Sequence, residues 1–216
     1  MKTRENVQGV RAIDLLTYWY AWFGFGKIHE ISEHTYNGKT RQVYWFDSED
    51  SKGGHCTPFA TILMNRQRLE EYSEQVTDYV FVHETGHADL PWYLQFLVYL
   101  TLIPSVLIAL VMPFAAGTQI LVVLFGTGSA YYTVLAVVSG LLAIGLFTLP
   151  FLVFSWISEG HAELVALKEL GETAFLECHA EIEEKSERGL LRRLIHRVQY
   201  PPPELVVWGA QKFKHT

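Results

Sequence analysis

With 216 residues, half of them hydrophobic and only 19% charged, the chain has room for about one domain and a composition tilted toward lipid. A net charge of -6 offers no basic field to nucleic acid, and no glycine-rich loop followed by Lys and Ser or Thr is present to cradle a phosphate, so nucleic-acid binding is excluded. Two cysteines, Cys56 and Cys178, are too few for a disulfide framework and lack zinc-ribbon spacing, and they read as plain thiols in a reducing compartment.

The first thirty or so residues carry Tyr18, Trp19, Tyr20, Trp22 and Phe23, a run too short and too polar at its edges to span a bilayer. It reads either as an interfacial helix or as an ordinary buried one. Asp14 interrupts the apolar stretch 13–26, and no small-residue cleavage site follows, so no signal peptide is read. Residues 42–46 and 59–64 are rich in β-formers and flank a turn-prone stretch, 47–54, which predicts a small sheet. The segment 34–54 also has the look of a mobile flap. Over 67–90, Leu69, Tyr72, Val76, Tyr79, Val80 and Val82 recur at helical intervals.

Between Asp89 and Glu159 there is no Asp, Glu, Lys or Arg. That block holds two candidate spans, 93–115 and 131–157, each longer than the roughly 20 residues needed to cross a bilayer. Gly117, Gly126 and Gly128 mark 116–130 as the connecting loop, with a dip of 120–125 back into lipid, and so three crossings, left open by length alone. Arg66, Arg68 and Lys168 flank the pair on one side while the loop has no Lys or Arg, so the positive-inside rule places both termini in the cytoplasm. Beyond the spans, 159–171 reads as a helix stopped by Gly171, and 173–199 as a charged helix. In the latter, Leu190, Leu191, Leu194, Ile195 and Val198 form a stripe beside four arginines, suited to an anionic membrane surface or to packing on the rest of the domain. Tyr200-Pro201-Pro202-Pro203 ends it.

Chemistry enters at Val82-His83-Glu84-Thr85-Gly86-His87. This is an H-E-x-x-H pattern on a predicted helix, so both imidazoles project from one face one turn apart and reach one ion. Neutral imidazole nitrogen suits Zn²⁺, and a catalytic zinc site needs one more protein ligand with a position left open. Glu84, adjacent without having to ligate, is placed to take a proton from water as general base. Gly86 costs the helix about 1 kcal/mol relative to Ala, and Asp89 is charged where such helices usually stay apolar. Directly after the second span comes Ser158-Glu159-Gly160-His161-Ala162-Glu163, which opens the next helix.

The order of these parts, H-E-x-x-H, an apolar hairpin and then a Glu-x-His-Ala-acid helix, resembles the HtpX and CAAX-prenyl protease family of integral-membrane zinc peptidases. The resemblance covers about residues 55 to 210 and is specific only in its two metal motifs. It implies that Glu159 is the third zinc ligand, beside His83 and His87. It also implies that the acid four residues later, Glu163 here where the family usually has Asp, supports a ligand from behind. His161 either backs up this metal group, hydrogen-bonds Glu84, or is a structural histidine. Cys56-Thr57-Pro58-Phe59-Ala60-Thr61 resembles the family's Asn-Ala-Phe-Ala stretch, whose strand borders the cleft and pairs with an extended substrate. Tyr200-Pro201-Pro202-Pro203 resembles the family's His-Pro-Pro segment, with Tyr in place of His and without the Arg that normally follows. Tyr200 is therefore either the donor to a developing oxyanion or a helix stop. A ligand set split between 83–87 and 159 needs an even number of crossings between them, which agrees with two spans.

These readings combine into an α+β fold: a mostly helical zincin-like metallopeptidase domain with a small β-sheet, interrupted by a two-helix transmembrane hairpin. Residues 1–91 and 158–216 form the cytoplasmic catalytic domain and 92–157 the hairpin. The expected activity is Zn²⁺-dependent endopeptidase cleavage of membrane-associated or extended protein substrates at the bilayer, with Glu84 and Tyr200 catalytic. A catalytically degenerate membrane scaffold and a non-proteolytic zinc hydrolase are the alternatives.

Overall fold

A computed structural model describes residues 11–49, 51–124, 130–185 and 200–213. Its elements are α1 (Ala12–Gly24), β1 (Ile28–Tyr36), β2 (Lys39–Phe46), β3 (Gly54–Cys56), β4 (Ile62–Asn65), α2 (Arg66–Leu69), α3 (Glu74–Ala88), α4 (Trp92–Leu124), α5 (Ala130–Leu170), α6 (Glu172–Glu184) and α7 (Pro203–Phe213). The fold is α+β, with one four-stranded sheet in the order β1-β2-β4-β3. By internal contacts the described residues fall into two units, one within 1–89, 161–189 and 202–216, the other within 90–160 and 190–201.

In the first unit the sheet is larger than the sequence suggested. Asn37 and Gly38, at φ 48° and 78°, form the tight turn of a β1–β2 hairpin, a backbone shape that Asn-Gly adopts readily. Most of the described residues in 34–54 belong to the sheet, and Val43, Tyr44 and Phe46 of β2 are buried. Strand β2 pairs in parallel with β4, and β3 pairs antiparallel with β4 at the far edge. The expected strand 59–64 is displaced to Ile62–Asn65, because 57–61 closes a turn in which Ala60 takes φ 58° and the Thr57 N–H donates to the Thr61 carbonyl (2.9 Å).

The two faces of this sheet are covered by different helices, following the two-residue alternation of strands. Val43, Ile62 and Met64 join Val76, Tyr79, Phe81 and Val82 of α3, with Ala166, Phe175 and Val207 beyond, in the main core. Tyr44, Phe46 and Leu63 point the other way and meet Ala21 of α1.

Helix α1 lies with its polar side inward. Asp14, Thr17 and Ala21 are buried, whereas Leu15, Trp19, Trp22 and Phe23 are 61–71% exposed. Hydrogen bonds set this rotation: the Tyr44 hydroxyl donates to Asp14 Oδ1 (2.6 Å), and Thr17 Oγ1 meets Thr61 Oγ1 (3.0 Å). Of the two readings of this segment, a buried helix is half right, since only its polar side is covered within the described residues.

The helix expected over 67–90 is divided. Helix α2 is a single turn capped by Asn65, and α3 starts afresh at Ser73, whose Oγ accepts the Val76 N–H (3.3 Å). Helix α3 is buried on most sides, at Val76, Tyr79 and Phe81 to Gly86, so it is an interior helix rather than an amphipathic surface one. Helix α5 stops at Leu170, where Gly171 takes φ 86° and allows the turn into α6. Of the charged helix read over 173–199, α6 accounts for Glu172–Glu184; the stripe Leu190 to Val198 lies outside the described residues. Pro203, expected only to end a helix, opens α7, where the Pro202 carbonyl accepts from the Leu205 (3.0 Å) and Val206 (3.2 Å) N–H groups. Proline suits a first helical position because its missing N–H would have no partner there.

In the second unit, α4 continues to Leu124, through most of the expected loop 116–130, because Gly117 only weakens an apolar helix. Helix α5 is continuous from Ala130 through Pro150 to Leu170, so the expected second span and the 159–171 helix are one element. Counting residues whose side chains are described, no single helix offers an apolar stretch long enough to cross a membrane. A bent pair, Glu74–Ala88 with Trp92–Leu107, passes by length and composition.

Candidate metal centre

His83 and His87 sit one turn apart on α3, and Glu159 projects from α5. One ligand atom from each lies within 4.8 Å of the others, so this group can hold a metal ion. The imidazole Nε2 atoms of His83 and His87 are 3.2 Å apart. Two nitrogens at zinc-binding distance on a tetrahedral centre stand about 3.3 Å apart, so the pair needs almost no rearrangement to share one ion. Two imidazoles and a carboxylate also match the donor chemistry of catalytic zinc sites.

Glycine explains how α5 comes near. A Cβ on Gly86 would lie 2.7 Å from Ala162 Cα, so the two helix backbones touch where no side chain fits between them. The residue that weakens α3 as an isolated helix is the one its packing requires. His161 reinforces the contact, its Nδ1–H donating to the Gly86 carbonyl (3.2 Å). Its partner is thus the backbone of α3.

Glu84 is buried, 7% exposed, under edge strand β3. A Cβ on Gly54 would lie 2.5 Å from Val80 Cγ1 and 2.9 Å from Glu84 Cγ, so Gly54 is what lets β3 pass over the general-base candidate. The edge strand beside Glu84 is thus β3, whereas β4, paired on both sides, has no edge to offer.

Behind His83 stands Glu163, 2% exposed. Its Oε1 is 3.5 Å from His83 Nδ1 and accepts the Tyr79 hydroxyl (2.9 Å), while its Oε2 is 3.1 Å from His179 Nε2. Burial works against the charged form of Glu163, but His83, His179 and Tyr79 together outweigh it and hold the carboxyl below its ordinary range. Tyr79 and His179 were not singled out from sequence. Tyr79 has a local signal, standing four residues before His83 and eight before His87 on one helical face; His179 has none, since only the packing of α6 brings it in.

Tyr200 is half-buried in the bend before α7. Cys56 and Cys178 are free and buried, and burial pushes both thiols up, Cys178 to about 11, so neither has the lowered pKa of a reactive cysteine. Comparison with protein-family models, with curated proteins and with solved structures finds no match.

Proposed function

We propose that this protein is a membrane-embedded zinc metalloendopeptidase, similar in plan to the HtpX and CAAX-prenyl proteases, with His83, His87 and Glu159 as ligands and Glu84 as general base. The observation that carries this reading is the convergence of the three ligand atoms within 4.8 Å beside a buried glutamate. A zinc ion held there supplies a Lewis acid for the substrate carbonyl and lowers the pKa of water at the site. Glu84, at its carboxylate, takes the proton from the attacking water and passes it to the leaving amine nitrogen. Strand β3 borders the site with its outer edge, where an extended substrate can add as a further strand. Tyr200 is the candidate donor to the oxyanion.

Support for the two-span hairpin comes from the uncharged stretch between Asp89 and Glu159. Its described side chains are widely exposed, including Trp92, Phe96, Ile103 and Val111 on α4 and Leu141, Leu142, Leu146 and Leu149 on α5. Apolar surface on that scale suits lipid. With two crossings, Lys and Arg flank the hairpin on the side of the metal ligands, and by the positive-inside rule this supports a cytoplasmic site.

The test is elemental analysis of the detergent-purified chain, for wild type, His83→Ala and Glu159→Gln, alongside casein cleavage by wild type and Glu84→Gln. The expected result is near one zinc per wild-type chain, lost in both ligand variants, and cleavage abolished in Glu84→Gln with its zinc retained. Zinc without cleavage would favour a degenerate scaffold or a non-proteolytic zinc hydrolase. A wild-type chain without zinc would overturn the reading.

A further inference from the structure

We infer that Tyr79 and His179 are positioning residues for the metal centre, holding the Glu163 carboxylate so that it fixes the orientation of His83. This inference rests on the metal reading above and extends it to α6, which supplies no ligand.

Donor and acceptor chemistry suggests one wiring of the group. The Tyr79 hydroxyl has one proton, which goes to Glu163 Oε1 (2.9 Å). His179 Nε2 lies 3.1 Å from Glu163 Oε2 and 3.1 Å from the Tyr79 oxygen. Both of those atoms then act as acceptors, so His179 carries its proton on Nε2. Glu163 Oε1 faces His83 Nδ1 at 3.5 Å, a few tenths of an ångström beyond ordinary hydrogen-bond length, so a small closure of the pair would place the His83 proton on Nδ1 and leave Nε2 as the ligand atom, toward His87 Nε2. A carboxylate behind a ligating imidazole sets the ring's tautomer and raises its basicity.

The clamp also accounts for glutamate at this position. Glu has one more rotatable bond than Asp and loses more rotamer freedom when fixed. Two donors on its two oxygens restrict that freedom before a metal arrives. His179 is itself held by aromatic contacts, with ring centroids 4.6 Å from Phe175 and 5.0 Å from Tyr79. Helix α6 reaches this position through the Gly171 turn.

A buried carboxylate needs hydrogen bonds in any protein, so the test must separate positioning from mere satisfaction. The dissociation constant for Zn²⁺ is measured on the full chain in detergent by competition with a chromophoric chelator, for wild type, Tyr79→Phe, His179→Leu and His179→Gln. Apo thermal stability and the visible spectrum of the Co²⁺-loaded protein are recorded in parallel. Tyr79→Phe, which deletes one oxygen, and His179→Leu are each expected to weaken zinc binding about 10- to 100-fold and to shift the Co²⁺ bands. His179→Gln, which keeps an N–H donor, restores most of the affinity. If His179→Leu does not fold, Tyr79→Phe and His179→Gln still decide the matter. Affinity within threefold of wild type in folded Tyr79→Phe, with unchanged Co²⁺ bands, would overturn the inference while leaving the metal site intact. Wild-type protein that binds neither ion would instead overturn the metal reading itself.

Discussion

Replacing Gly86 by alanine gives opposite answers for an isolated helix and for this fold. In a free helix the change stabilises by about 1 kcal/mol. Here the new Cβ would lie 2.7 Å from Ala162 Cα and 3.3 Å from both Ala162 Cβ and O. Carbon atoms rest at about 3.5–4.0 Å, so α3 and α5 must separate locally by about 1 Å. Overpacking of that kind costs about 1–3 kcal/mol, enough to cancel the propensity gain and leave a net loss of up to about 2 kcal/mol. Because the nearest atom is backbone, adding Ala162→Gly should not rescue the variant. The separation also strains the His161 bond to the Gly86 carbonyl and displaces Glu159, one helical turn earlier on α5. Metal sites tolerate distance errors of only about 0.2 Å, so zinc affinity should fall at least tenfold, about 1.4 kcal/mol. Thermal unfolding of the apo protein and zinc competition titration measure the two effects. A Gly86→Ala protein that is more stable than wild type and binds zinc equally well would refute the close approach of α3 and α5.

On the proposed reading Gly54→Ala acts on Glu84 rather than on the ligands: its Cβ would crowd Val80 Cγ1 and Glu84 Cγ, so any peptidase turnover should fall while zinc content, read by elemental analysis, stays at the wild-type value. Tyr44→Phe removes a charge-assisted hydrogen bond to buried Asp14 and should cost about 1.5–3 kcal/mol in denaturant unfolding. The same pair contributes to both pH limits, the acid one together with Glu163, Glu169 and Glu181, whose carboxyls are also held low. Asp14 is held below its ordinary value, chiefly by the Tyr44 hydroxyl, so its contribution is present above pH 3.8 and lost as pH falls through the depressed value. Tyr44, raised by burial and then by Asp14 from 10 to about 12, contributes stability that is lost as pH rises between those values. Asp14→Asn should flatten the acid limb of a stability–pH curve, and an unchanged limb would count against the pairing.

The metal group was legible where its logic is local. His83 and His87 are one turn apart on one helix, and the period of the helix alone brings them together. Glu159 lies 72 positions beyond His87 in the chain; only a resemblance between motifs pointed to it. What went unread depended on contacts distant in sequence. Gly86 was scored by its cost to α3, because the Ala162 backbone that needs the space is not written beside it. Gly53-Gly54 reads as a turn, yet Gly54 starts β3, since only a residue without a side chain passes over Val80 and Glu84. His179 has no motif. The Asn37-Gly38 hairpin, by contrast, carried a local signal that was available and missed, and with it went β1.

Helix α1 inverts the usual link between hydropathy and tolerance to change. Its interior side is polar and bonded, so Asp14→Leu, a conversion that a burial scale would favour, leaves the Tyr44 hydroxyl facing carbon, and Thr17→Leu leaves the Thr61 hydroxyl with Thr57 alone (2.6 Å). Trp19 and Trp22, the residues that such a scale would protect, are largely exposed among the described residues. A deep mutational map of this protein scored on folding should therefore show its most permissive large aromatics and its least permissive small polar residues within the same three turns of helix.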